Sequence, residues 1–238
     1  MTQLHLAILC TTLAGAMIPL GAWLAVVERI RPNWLEEEFR HTVIAFGGGV
    51  LLAAISFVLV PEGIDKLPAA ASVAAFAAGG LGFFWLDRMI SGNGGGSKAQ
   101  LVAMVSDFLP EALALGALFA SGDPTGPLLA ALIGLQNLPE GFNAYREVVA
   151  GSGKSPKTIL RAFAAVALVG PVAAILGHVY LTSLPELTGF VMLFAGGGIL
   201  YLIFQDIAVQ AHLEQRWAPS LGAVGGYLVG LIGHLMVH

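Results

Sequence analysis

Residues 188–212 read TGFVMLFAGGGILYLIFQDIAVQAH, a run of 25 positions with one acidic residue, Asp206, and no Lys or Arg. A helix that crosses the hydrocarbon core of a bilayer takes about 20 apolar residues, so this stretch is long and apolar enough to be a membrane span. The same texture fills the chain. Of its 238 residues 57% are hydrophobic and only 11% charged, with a mean hydropathy of +0.82. A soluble domain normally carries about 25% charged residues, so the composition excludes one. Short polar or Gly/Pro/Ser-rich breaks divide the chain into eight spans, roughly 4–28, 41–61, 68–90, 99–121, 127–150, 158–183, 188–212 and 219–237. The first lacks the basic leader of a signal peptide and is longer than a signal's apolar core, so it reads as a membrane helix. The expected fold class is an all-α membrane protein, with residues 1–238 forming a single transmembrane domain.

Basic residues orient the spans. The loops after spans 1, 3, 5 and 7 hold Arg29, Arg31, Arg40, Arg88, Lys98, Arg146, Lys154, Lys157, Arg161 and Arg216, ten of the 11 Lys and Arg; Lys66 alone falls on the other side. The positive-inside bias then puts these loops in the cytoplasm and both termini outside. The plasma membrane, in a bacterium the inner membrane, is the expected location. No basic tract or aromatic ladder suggests nucleic acid. Cys10 is the one cysteine and reads as a small buried hydrophobe.

Span 2 contains Ala45-Phe46-Gly47-Gly48-Gly49-Val50-Leu51, and span 7 answers with Phe194-Ala195-Gly196-Gly197-Gly198-Ile199-Leu200. With eight spans these helices run in opposite directions. Spans 1–3 and 6–8 would then form an inverted repeat around a central 4–5 pair, an arrangement common in secondary transporters. Generic small-residue packing would also place glycines in this way. The glycine-rich stretch Ser91–Ser97 is a candidate join between halves.

Most acidic residues lie in loops, but those of spans 4 and 5 do not. Span 4 holds Asp107-Phe108-Leu109-Pro110-Glu111-Ala112, and span 5 holds Gln136-Asn137-Leu138-Pro139-Glu140-Gly141, each near mid-span. Ionisable groups at that depth are costly and mark functional sites by default. Asp107 and Glu111 are i, i+4, as are Gln136 and Glu140, so each pair shares a helix face. Pro110 and Pro139 donate no backbone hydrogen bond and free the carbonyls of Ser106 and Leu135. Carboxylates facing each other in low dielectric repel unless protonated or bridged by a cation. A divalent ion would supply the missing charge. Protonated acids packed against amides, or a proton relay without metal, are the other readings of the same residues.

On these blocks the chain resembles the ZIP family of divalent metal transporters, whose spans 4 and 5 each carry a His-Asn-x-Pro-Glu-Gly-like motif. The eight-span plan, the outward termini, Val60-Pro61-Glu62-Gly63 at the end of span 2 and Ile199–Asp206 in span 7 are also similar. The resemblance implies a transporter that moves an ion such as Zn²⁺, Mn²⁺ or Fe²⁺ toward the cytoplasm, with metal as substrate, no prosthetic group and no enzymatic activity. The lipid bilayer is its surroundings, and a homodimer is a possible assembly. It also implies a primary site of Asp107, Glu111, Gln136 and Glu140, an adjacent site drawing on Asn137 with Glu111 and Glu140, and a cytoplasmic exit lined by Gln205 and Asp206.

Several positions depart from the family pattern. Asp107 replaces a histidine, Phe108 an asparagine ligand, and Gly170 a glutamate carried by many members; Leu51 stands near a position that is methionine in some. Gln136 replaces another histidine, a change that occurs within the family. The second site is accordingly expected to be degraded. With no imidazole left, the ligand set is all oxygen, which suits harder ions such as Mn²⁺, Mg²⁺ or Fe²⁺ better than Zn²⁺. His5, His178, His234 and His238 fall near the outer ends of spans and His41 and His212 near the inner ends, where interfacial histidines are common. Two other functions fit the sequence: a metal-binding relative that does not transport, acting as sensor or partner subunit, and a proton-coupled carrier of a non-metal solute.

Overall fold

In lipid a backbone N–H or C=O finds no water, so each must be satisfied within its own segment, and helices result. The computed structural model describes residues 2–28, 33–92, 97–214 and 216–237, with backbone alone at 33–36, 91–92 and 97–99. Arg29, Arg31 and His238 lie outside the described residues, as does most of the glycine-rich join. Among the described residues all regular structure is helical.

The helices are α1 (Gln3–Val27), α2 (Asn33–Ala54, continuing to Ile64), α3 (Ala69–Gly92), α4 (Ser97–Ser121), α5 (Gly126–Ser152), α6 (Pro156–Leu181), α7 (Pro185–Ala211) and α8 (Ala218–Val237). They agree with the spans read from sequence within a few residues, except that α2 begins eight residues earlier than expected, at Asn33 rather than 41. Its polar lead-in, NWLEEEFR, is helical although it is not apolar. Local chemistry sets the other ends. Ser155 caps α6 by accepting from the Thr158 N–H, with Pro156 in the first turn, and Gly153 closes α5 in the left-handed region at φ 60°. Single π turns interrupt α2 at Ile55–Leu59, α6 at Gly177–Leu181 and α7 at Ile203–Ile207.

Seven of these helices are long and apolar enough to cross a membrane. α5 falls short because it carries Gln136, Asn137, Glu140, Asn143, Arg146 and Glu147. It is central instead, packed on α1, α2 and α4, and its polar face is turned away from lipid.

Four helix pairs close in the same way. A Cβ on Gly21 of α1 would strike the Leu138 carbonyl of α5, and one on Gly141 of α5 would strike the Ile18 carbonyl of α1. The reciprocal contact recurs between Gly116 and Ala174 and between Gly177 and Leu113 (α4 with α6). It recurs again for Gly49 with Ala223 and Gly226 with Phe46 (α2 with α8), and for Gly79 with Phe194 and Gly197 with Phe76 (α3 with α7). Each partner offers a carbonyl three residues before its own glycine. Backbones in contact maximise dispersion where no hydrophobic force separates helix from lipid. The pairs assemble into two groups: α1, α4, α5 and α6, and α2, α3, α7 and α8. Between the groups the contact is smoother. A Cβ on Gly47 of α2 would stand 3.0 Å from Pro139 Cγ of α5.

Gly197→Val should lower the thermal midpoint in detergent, since overpacking costs about 1–3 kcal/mol or more. Gly151→Ala has nothing within 4 Å of its new Cβ and should hold or raise the midpoint, Ala being favoured over Gly by up to ~1 kcal/mol in a helix. Equal midpoints for the two variants would contradict the packing account.

Candidate functional site

A cavity of about 330 Å³ lies between the two groups. α4 contributes Gln100, Ala103, Ser106 and Asp107, and α5 contributes Gln136, Pro139, Glu140 and Asn143. The facing wall comes from α2 (Ile44, Gly47, Gly48, Leu51), α3 (Phe83, Leu86, Asp87, Ile90) and α7 (Leu202, Asp206, Ile207, Gln210). Gly47 and Gly48 keep the α2 wall low. The helical spacing expected from the sequence is what delivers these side chains: 100, 103 and 107 share one face of α4, and 136, 140 and 143 share one face of α5.

The deep end of the cavity is a buried polar knot. Asp107 is 5% exposed, Glu111 0%, Gln136 3% and Asn137 0%, while Glu140 is half-buried. Gln136 Nε2 donates to Asn137 Oδ1 at 2.7 Å and to Glu111 Oε2 at 3.3 Å. Asn137 Nδ2 donates to the Ala14 carbonyl of α1 at 3.0 Å, which fixes the knot to its own helix group. Gln136 Oε1 is left as that amide's acceptor. Asp107 Oδ1 and Glu111 Oε1 are buried with no hydrogen-bond partner, and Asp107, Glu111 and Glu140 sit close enough to feel one another's charge. Among the described residues no three His, Cys, Asp or Glu side chains are drawn together as a ready metal-ligand cluster. The assembled donors are two carboxylates with one unpartnered oxygen each, a third carboxylate beside them and an amide, all oxygen.

Of the residues singled out from sequence, Asp107, Gln136, Glu140 and Asp206 line the cavity, and Glu111 and Asn137 lie buried behind its wall. Gln205 is exposed and absent from the lining. Within the π turn at Ile203–Ile207, Asp206 lines the cavity while Phe204 and Gln205 are exposed. Sequence reading missed Asp87, which accepts from the Tyr201 hydroxyl at 3.0 Å, as well as Asn143 and Gln210. The last two were within reach: Asn143 is one turn beyond Glu140, and Gln210 one turn beyond Asp206.

Access to the knot is one-sided. On the far side of Glu111 and Gln136 the bundle is dry: Leu115, Leu118, Leu129, Leu132, Ile133, Val58, Leu59 and Met192 are all at most 1% exposed. On the near side the cavity shares Ile44, Asn143 and Gln210 with a second one of about 470 Å³, which adds Arg40, His41, Arg146, Glu147 and His212. This is the end where α5 and α7 finish, at Ser152 and Ala211. Arg146 is held there by Glu28 of α1 at 2.8 Å. Of the other histidines, His178 sits in the α6 π turn and His234 stacks on Phe57 at 4.9 Å.

Phe108 does not face the cavity. Its ring, 1% exposed, fills the space between α4, α1 and α6. A Cβ on Gly15 would stand 3.1 Å from Phe108 Cζ, and one on Gly170 would collide with that atom. The ring therefore occupies the volume that a side chain at position 170 would need. No family model matches this chain, and no curated protein matches it.

Gly170→Val alone should destabilise by about 1–3 kcal/mol through overpacking, and Phe108→Ala alone by about 3–5 kcal/mol through the void it leaves. In denaturation measurements the double variant should fall short of their sum by at least about 1 kcal/mol. Simple additivity would show that ring and glycine do not share this space.

Proposed function

We propose that the chain is a divalent-cation transporter of the ZIP type, in which the ion binds between α4 and α5 and is released through the cavity toward the cytoplasm. The observation that carries this reading is the pair of orphaned carboxylate oxygens, Asp107 Oδ1 on the wall of a cavity and Glu111 Oε1 buried behind that wall. Removing a buried acceptor's partner costs about 1–3 kcal/mol, and more for a charged group. A cation reaching the knot from the cavity offsets that cost. Asp107, Glu140 and Gln136 would meet it first from the cavity wall, and Glu111 would close from behind. An all-oxygen set of this kind favours Mn²⁺, Mg²⁺ or Fe²⁺ over Zn²⁺ relative to a histidine site.

The helix pairing supports the inverted-repeat reading. Exchanging α1 with α6, α2 with α7, α3 with α8 and α4 with α5 turns each glycine-stapled pair into another. The π turns in α2 and α7 also follow their Phe/Gly-rich segments at nearly the same distance. Alternating access would come from one four-helix group moving against the other, with the dry outer half opening as the inner cavity closes. The basic loops favour an inner-membrane protein with both termini outside. In this reading the protein transports and does not catalyse, and the whole chain is one transmembrane domain. Proton coupling through the same carboxylates is the second reading, because protons also relieve an orphaned carboxylate.

Uptake of Mn²⁺, Fe²⁺, Cd²⁺ and Zn²⁺ into proteoliposomes tests the proposal. The wild type should accumulate Mn²⁺ or Fe²⁺, with Zn²⁺ a weak competitor, and Glu140→Ala should reduce uptake to the level of empty vesicles. Flux of a solute that depends on pH and ignores chelators would favour the proton carrier. Strong preference for Zn²⁺ would overturn the oxygen-site argument.

A further inference from the structure

The interhelical side-chain hydrogen bonds described above, Asn137 to Ala14, Gln136 to Glu111, Arg146 to Glu28 and Tyr201 to Asp87, each stay within one four-helix group. Asn143 is different. Its Nδ2 donates to Glu147 Oε1 on its own helix at 2.9 Å and to Gln210 Oε1 of α7 at 2.7 Å, so it joins α5 of one group to α7 of the other. Asn143 and Gln210 both line both cavities, which places the bond at the neck where the deep cavity meets the vestibule. The α7 segment that carries Gln210 follows the π turn. It is packed by a small apolar cluster, Ile44, Ala45 and Ala211 with Ile207 and Ala223, which meets the main core only through Ile207. A short helical end after a π turn, on a satellite core, is lightly held by apolar packing.

We propose that the Asn143–Gln210 hydrogen bond is a latch that holds the two helix groups in the arrangement with the cavity open at the inner end, and that it must break for the groups to move. The inference rests on the transport reading only for its purpose; the bond and its bridging position do not depend on it. A contact made in one arrangement and absent from the other biases the equilibrium by its full worth. Glu147 contributes by holding the Asn143 amide with one N–H so that the other points at Gln210.

The test uses the full chain with Cys10→Ser and spin labels at Val149→Cys on α5 and Val209→Cys on α7, both exposed positions. Inter-label distances are measured in liposomes for the unaltered neck, for Asn143→Leu and for Gln210→Leu, which break the latch from opposite sides. Each variant should raise the share of the minor distance about fivefold, as expected for the loss of one hydrogen bond. A minor share unchanged in both variants overturns the latch. Mn²⁺ uptake by the same samples separates the two claims. A distance shift without uptake in any sample keeps the latch and rejects transport, and uptake without a shift does the reverse.

Discussion

A carboxylate oxygen that is buried, ionisable and without a partner cannot be left alone at the centre of an apolar bundle. Asp107 Oδ1 and Glu111 Oε1 are two such atoms, with Glu140 beside them, and the rest of the architecture can be read from what that knot requires. It needs neighbours that supply donors without filling the space, which Gln136 and Asn137 do by holding each other and the Ala14 carbonyl. It needs a route for a compensating charge, which the cavity between the helix groups provides. It also needs shielding from lipid, and α5, which carries much of the knot, is packed on α1, α2 and α4. In the proposed reading, repulsion among the carboxylates favours a bound cation, and their oxygen chemistry sets the kind of ion.

The glycines are the mechanical counterpart. Reciprocal backbone contacts staple α1 to α5, α4 to α6, α2 to α8 and α3 to α7, and they leave two rigid groups with a cavity between them. Close-packed interfaces of this sort deform little, so motion is displaced to the surface between groups. There Gly47 meets the flat face of Pro139, and a single amide bridges Asn143 and Gln210. The wall that holds the knot and the surface between the groups are therefore built from α4 and α5 facing α2 and α7.

Much of this was legible in the sequence because hydropathy and helical spacing are local. Span limits came out within a few residues, and the i, i+4 pairs of α4 and α5 placed Asp107, Glu111, Gln136 and Glu140 in one neighbourhood. The N-terminal extension of α2 was not legible, since NWLEEEFR carries too many charges for hydropathy to count it as part of a span. Nor was the π turn of α7 at Ile203–Ile207, which a regular 3.6-residue count cannot anticipate. The Phe108 ring shows what pairwise spacing leaves out. Its partner, Gly170, lies far along the chain, and only the packed bundle reveals that the ring occupies the space a side chain at position 170 would need.

The number of ions bound at the proposed site, the Asp107–Glu111–Glu140 knot, is the most direct test. Titration of the detergent-solubilised protein with Mn²⁺, following loss of the free-ion paramagnetic resonance signal, should give one Mn²⁺ per chain. Asp107→Asn and Glu140→Gln should each weaken binding by at least about tenfold, the lower bound set by losses at mere supporting residues of metal sites. Mn²⁺ that fails to bind the wild type, or binds the double variant equally tightly, would contradict the assignment of this knot as the cation site.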